Sequence, residues 1–294
     1  MADHNSAPFT LQCGARTLVL DRPLIMGVLN ITPDSFSDGG KLFGAQGAKL
    51  DAVLRVAESM MSDGAVILDV GGESTRPGAS PVSEQEELDR VVPVVEALVS
   101  SLGAVISVDT STPSVMRESA LKGAGLINDV RGLSRDGALR AAADTGLPIC
   151  LMHMQGTPQT MQDNPDYNGV VEDVLDYLDS RVAACESMGI ARERLVIDPG
   201  FGFGKTVEHN LQLLDRLSDF ARLKLPLLVG LSRKSLLDKI TGRAVDERLA
   251  GSITLAALAA ERGAHIIRVH DVRETSDALA VVDALLRIKQ QRIA

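Results

Sequence analysis

Tryptophan is absent from the 294 residues, tyrosine occurs twice, and aromatics make up 3% of the chain. Too few stacking side chains exist for a single-stranded nucleic-acid platform. Positive charge is also short. With 39 acidic against 30 basic side chains the formal net charge is −9, so no nucleic-acid-coating surface is expected. A small anionic ligand stays compatible with this balance. No apolar run approaches the roughly 18 residues of a membrane span, and the opening MADHNSAPFT lacks a charged segment leading into an apolar one. The expectation is a cytoplasmic protein without a membrane partner. Cysteine is scarce: Cys13, Cys150 and Cys185 lie far apart and form no C-x-x-C pair, so buried thiols are expected.

What is present is globular chemistry, 45% hydrophobic and 23% charged, which excludes disorder as the main state. Short apolar runs recur at 23–30 (PLIMGVLN), 65–70 (AVILDV), 104–109 (AVISVD), 125–129 (GLIND), 147–153 (LPICLMH), 195–198 (LVID), 226–231 (PLLVGL) and 264–270 (AHIIRVH). Their hydrophobicity is continuous, not alternating, as a strand buried on both faces requires. Amphipathic stretches separate them. Residues 83–101 begin with Ser83 and place Glu86 three positions on, a capping-box pattern. Pro93 inside that stretch should kink the helix or mark its true start. Helices are also expected over 168–188, ending before Gly189, and 247–262, ending before Gly263. Eight strands each followed by a helix make an α/β chain with the (β/α)₈ barrel architecture. Residues 1–22, with LQCGARTLVL, are expected to form a hairpin plugging the barrel bottom, and 23–294 the barrel itself, with no linker dividing the chain.

Such a barrel builds its site at the carboxyl ends of its strands. There the runs deliver Asn30, the segment 69–76, Asp109, Asn128 with Asp129, His153, Asp198, the segment 232–234, and Arg268 with His270. Asp69, Asp129 and His153 suit an equally plain role, tying strand ends together by hydrogen bonds. Three loops are Gly-rich or longer than a connection requires: 30–40 (NITPDSFSDGG), 71–78 (GGESTRPG) and 198–205 (DPGFGFGK). Phe36, Phe43, Phe201 and Phe203 fall in or beside them, and Phe36 and Phe203 are expected to meet something flat. The 200–206 stretch is no Walker A loop, because Pro199 stands where the first glycine is needed. It also fails the dinucleotide fingerprint, and the histidines have no zinc-site spacing.

Together MGVLNITPDSFSDGG, GGESTRPGA, DVRG, DPGFGFGK, GLSRKS and the terminal R-x-H resemble, in order, the signatures of the dihydropteroate synthase family in its monofunctional bacterial form. The resemblance implies condensation of 6-hydroxymethyl-7,8-dihydropterin diphosphate with 4-aminobenzoate, giving dihydropteroate and diphosphate by a dissociative displacement. That family is the target class of sulfonamide drugs. By resemblance Asp109, Asn128, Asp198 and Lys234 face the pterin, while Arg268 and His270 hold the diphosphate with Thr75 and Arg76. Asn30 is the protein ligand to Mg²⁺. Asp38 and Asp109 stabilise the pterin cation, and Phe36, Thr75, Arg76, Pro77, Phe203, Lys234 and Ser235 form the aminobenzoate pocket. A homodimer through the last helices is implied too. Three other readings stay open: a pterin-binding methyltransferase domain serving a corrinoid partner, a catalytically silent pterin-binding scaffold, and a sugar-phosphate barrel. The first has no use for the Asn30 amide or the R-x-H pair.

Overall fold

A computed structural model of the chain describes residues 8–31, 46–74, 82–158 and 160–291. It opens with an antiparallel hairpin, β1 (Phe9–Cys13) and β2 (Arg16–Leu20), turned at Gly14 with φ +61°. The barrel follows as β3 (Leu24–Asn30), α1 (Gln46–Ser62), β4 (Ala65–Gly71), α2 (Glu84–Ser101), β5 (Val105–Asp109) and α3 (Pro113–Leu121). It continues with β6 (Leu126–Asp129), α4 (Ala138–Thr145), β7 (Ile149–Met152), α5 (Val170–Ser187), β8 (Leu195–Asp198) and α6 (Val207–Asp215). The last quarter holds β9 (Leu228–Val229), α7 (Ser235–Thr241), α8 (Leu249–Glu261), β10 (Ile266–Val269) and α9 (Val272–Gln291). No helix among the described residues is long and apolar enough to cross a membrane.

The eight strands β3 to β10 form one parallel sheet in the order β8-β7-β6-β5-β4-β3-β10-β9. The ring closes through a single bridge between Ile197 on β8 and Leu227, just ahead of β9. Neighbouring strands are also neighbours in sequence around most of the ring, as right-handed crossovers through a helix dictate. The run at 226–231 shrinks to the two residues of β9. Pro226 has no N–H for a ladder, and Gly230 packs poorly in one.

Side-chain alternation divides the core. Outward residues such as Leu68, Val70, Ile106, Ile127 and Leu151 pack against the helices. Inward, every strand contributes to a second cluster: Leu24 and Met26 from β3, then Ile67, Val105, Leu126, Cys150, Val196, Leu228 and Ile266, one from each of the others. The hairpin adds Leu11, Cys13 and Leu20 to that cluster, packing against the inward residues of the strands. Cys13, Cys150 and Cys185 are free and buried, as their spacing suggested.

Helix ends follow local chemistry with two departures. Ser83 accepts from the Glu86 N–H, but the Glu86 carboxylate reaches forward to Arg90, leaving the capping box half formed. Pro93 neither starts nor ends its helix. It sits on the exposed side of α2, and the helix runs through it. The helices α5 and α8 finish before Gly189 (φ +84°) and Gly263 (φ +99°), close to the expected ends. The short α7 is an addition, inserted between β9 and α8.

Candidate active site

Two residues beyond the apolar cluster, the inward positions turn polar: Asp69 on β4, Ser107 on β5, Asn128 on β6, Asp198 on β8 and Arg268 on β10. Met26 points inward on β3, so Asn30, four residues on, shares that side of the strand at its carboxyl end. Asp109, Asn128, Asp198, Lys234 and Arg268 converge on one pocket, whose apolar wall is Val130, Met152, Phe201 and Phe203. The Arg268 guanidinium is the knot of this layer. Its Nε lies 2.6 Å from Asp69 Oδ2 and its Nη2 2.9 Å from Asp109 Oδ2, and Asn128 donates to the same Asp69 oxygen at 3.2 Å. Arg268 therefore enters the site already tied to two carboxylates and is not a bare positive charge.

Burial raises the Asp109 carboxyl to about 7, and Arg268 opposes the rise while Asp69, Asp129 and Glu87 add to it. Asp198 is raised to about 6, again by burial, against the Gly200 N–H that its Oδ1 accepts at 2.7 Å and against nearby Lys234, Lys205 and Arg268. Lys234 is lowered to about 8 by burial and by Arg268. These groups titrate near neutrality, the pattern of a pocket built to meet a polar ligand with its own donors.

Other expected residues find their places. His270 stands just past β10, with Nδ1 3.0 Å from Ser232 Oγ, and the same hydroxyl accepts the His270 N–H at 3.2 Å. Burial and Arg268 hold His270 near 4, so in the chain by itself its ring is neutral. Phe203 is buried among Val130, Met152 and Met161, and Lys234 Nζ lies 4.1 Å from its ring centre. The ring thus packs its loop down as well as lining the pocket. Ser235 opens α7, exposed and next to Lys234, outside the pocket lining. Phe36, Asp38, Thr75, Arg76 and Pro77 lie outside the described residues.

Of the three strand-end residues weighed as ties, two are ties. Asp129 accepts from Ser111 Oγ and from the Arg131 and Leu133 N–H groups at 2.8 and 2.9 Å, fixing the turn after β6. His153 accepts from Lys205 Nζ at 2.8 Å. Asp69 is instead part of the site, through Arg268. Sequence reading also missed Glu87, whose two carboxylate oxygens each accept a hydroxyl, from Thr110 and Thr112, at 2.5 Å. An acidic residue on the inward face of α2, three positions past the N-terminal Glu84, is the signal that could have found it.

Fold and site define a (β/α)₈ barrel of the enzyme type, with a polar pocket at its rim walled by carboxylates, an amide and cations. Comparison gives that class its name. A family model described as pterin binding enzyme matches residues 26–270. The chain is 55% identical to the dihydropteroate synthase of Escherichia coli (strain K12) over 94% of its own length and 96% of that protein's. Its structure is similar to the Yersinia pestis dihydropteroate synthase solved with a sulfonamide drug, with a TM-score of 0.89 at 52% identity over 95% of this chain and all of that one. It also resembles the Xanthomonas albilineans dihydropteroate synthase solved with 4-aminobenzoic acid, with a TM-score of 0.88 at 48% identity over 96% and 99% of the two chains. The chain belongs to the dihydropteroate synthase family of pterin-binding enzymes. Its reaction is the family's: 6-hydroxymethyl-7,8-dihydropterin diphosphate and 4-aminobenzoate are joined to 7,8-dihydropteroate with release of diphosphate.

Proposed function

We propose that this chain performs the reaction by dissociation first and capture second, with the pocket residues in distinct roles. The observation that carries this reading is the pairing of Asp109 and Asp198 in the lining of one pocket with Arg268, which is itself bound to Asp109 and to the buried Asp69 behind it. Asp198 accepts the N–H groups on the pterin edge, and Asn128 and Lys234 meet its remaining acceptors and donors. Cleavage of the bond between the pterin methylene and the diphosphate oxygen sends the electron pair out with diphosphate. The carbocation left behind is delocalised over the pterin and stabilised by Asp109, with Asp38 as its second carboxylate. Arg268, together with the neutral His270 N–H and with Arg76, receives the departing negative charge. The aminobenzoate nitrogen then supplies the pair for the new C–N bond and loses a proton. Its pocket is formed by Lys234, Phe203 and Ser235, with Phe36, Thr75, Arg76 and Pro77. No side chain is required as a covalent nucleophile.

The donor set also fits Mg²⁺. Among the described residues no cluster of three His, Cys, Asp or Glu could cage a metal. One amide oxygen from Asn30, completed by diphosphate oxygens and water, suits a hard ion that dehydrates reluctantly. When bound, the ion would neutralise charge on the diphosphate. A homodimer through α7 to α9 is part of the same reading, supported by the exposed Ile240, Leu258 and Val281 on those helices and Val245 in the turn between α7 and α8.

The test is positional isotope exchange. A pterin diphosphate labelled with ¹⁸O in its bridging position, incubated with enzyme and Mg²⁺ but no aminobenzoate, should return with the label scrambled into non-bridging positions. Retention of the label alongside full activity would replace dissociation with direct displacement.

A further inference from the structure

The loop between β8 and α6 contains a buried ammonium that the reaction does not use. Lys205 is 2% exposed, and its three N–H groups meet three acceptors: His153 Nδ1 at 2.8 Å, the Gly200 carbonyl at 2.9 Å and the Phe203 carbonyl at 3.0 Å. An ammonium has three donors and no acceptor, so the match is complete. His153 must therefore accept on Nδ1 and carry its proton on Nε2. Burial and the neighbouring Lys205 keep its ring neutral.

Two of these contacts lead directly to the pocket. Gly200, held by its carbonyl, donates its own N–H to Asp198 Oδ1 at 2.7 Å. It has no room to relax, because its φ is +70° and an added Cβ would lie 1.8 Å from the His153 carbonyl oxygen. Phe203, held likewise, lines the pocket beneath Lys234. We propose that Lys205 is a positioning residue for the pterin pocket: its ammonium fixes the Asp198–Gly200 turn and the Phe203 backbone at the pocket wall, and supplies a positive charge close to the Asp198 carboxylate. This rests on the reading of Asp198 as the acceptor for the pterin edge.

The cations facing Asp198 are Lys205 from its own loop, Lys234 from the start of α7, and Arg268 from β10, which is bound to Asp69 and Asp109. The other titratable neighbour, Cys150 on β7, is pushed up by burial and stays a neutral thiol. Burial lowers Lys205 to about 7, and Asp198 titrates near 6, so the lysine keeps its proton where the carboxylate takes one up.

The experiment is calorimetric titration of 6-hydroxymethylpterin into wild type, Lys205→Met and Lys205→Gln from about pH 5 to about pH 8. Both variants should bind about tenfold more weakly at neutral pH, and the acid limb of affinity should move up by about one pH unit as Asp198 loses a cation. The glutamine keeps two donors in place, so it decides the matter if the methionine variant does not fold. Unchanged affinity, or a uniform loss with the midpoint unmoved, would overturn the proposal. Loss of the fold in both variants would also overturn it, since the lysine would then serve the barrel and not the pocket. Asp198→Ala, measured in parallel, separates the two ideas. Wild-type binding by that variant removes Asp198 from the site altogether, whereas loss there with unaltered Lys205 variants sinks only the role of the lysine.

Discussion

The two storeys of the barrel interior are built by the same strands, one inward step apart, and have opposite chemistry. The lower one takes Met26, Ile67, Val105, Leu126, Val196 and Ile266, packs against the hairpin, and contributes roughly 1.5–3 kcal/mol per buried side chain. The upper one takes Asp69, Asn128, Asp198 and Arg268, whose desolvation costs several kcal/mol per ion unless each finds a partner. Stability is therefore generated beneath the site and consumed within it. A shift of two residues along a strand moves a side chain from one account of the molecule to the other.

Arg268→Met should have the largest effect, because it sits where the two storeys depend on each other. It leaves the fully buried Asp69 carboxylate unpaired, so urea unfolding should show a loss of about 3–5 kcal/mol together with abolished diphosphate release. Full stability in that variant would mean that the ion pair is dispensable to the fold. Met26→Ala should cost about 2–5 kcal/mol while kcat at low temperature stays near wild type. A fall in kcat beyond tenfold would show the storeys to be coupled. Asp198→Ala reverses that outcome: pterin affinity should drop about 100-fold as buried donors lose their acceptor, with stability changed by less than about 2 kcal/mol. Relief of a buried charge offsets the Gly200 N–H left without a partner.

Smaller effects refine the contrast. The Asp198 carboxyl is raised to about 6, so pterin affinity should be maintained above that pH and fall by up to about tenfold per unit below it. Calorimetry across the range checks this, and an acid limb near 4 would contradict the burial argument. Phe203→Leu removes the face on which Lys234 rests, worth about 1 kcal/mol, and should raise KM for aminobenzoate severalfold with kcat little altered. An equal loss for pterin would place the ring on the other substrate.

The strands were legible because burial on both faces demands continuous apolar runs, and 195–198 matches β8 residue for residue. The rim residues were legible because Asp109, Asp198 and Arg268 end or nearly end such runs, where an ionised side chain has no reason to be in a plain core. Asp69 was harder to assign. It lies within β4 and not at its end, and only the pairing across the barrel to Arg268, 199 positions away in sequence, reveals its part. Lys205 hid for another reason: next to Gly204 it invited comparison with a phosphate loop, and its real partners are carbonyls and a ring nitrogen that spacing cannot show. The charge state of His270 was not legible at all, because histidine type alone does not carry the surroundings that keep the ring neutral.

The barrel closes through one bridge, Ile197 to Leu227, and the residue ahead of that bridge is Pro226, whose carbonyl accepts from Ile197 but which has no N–H to return. That weld is the thinnest point in an otherwise continuous hoop, and Asp198 follows it immediately. Amide exchange should therefore enter the ring there first, well before the apolar floor loosens. Local give beside the carboxylate would let the rim flex around an arriving heterocycle while the rest of the hoop keeps its shape.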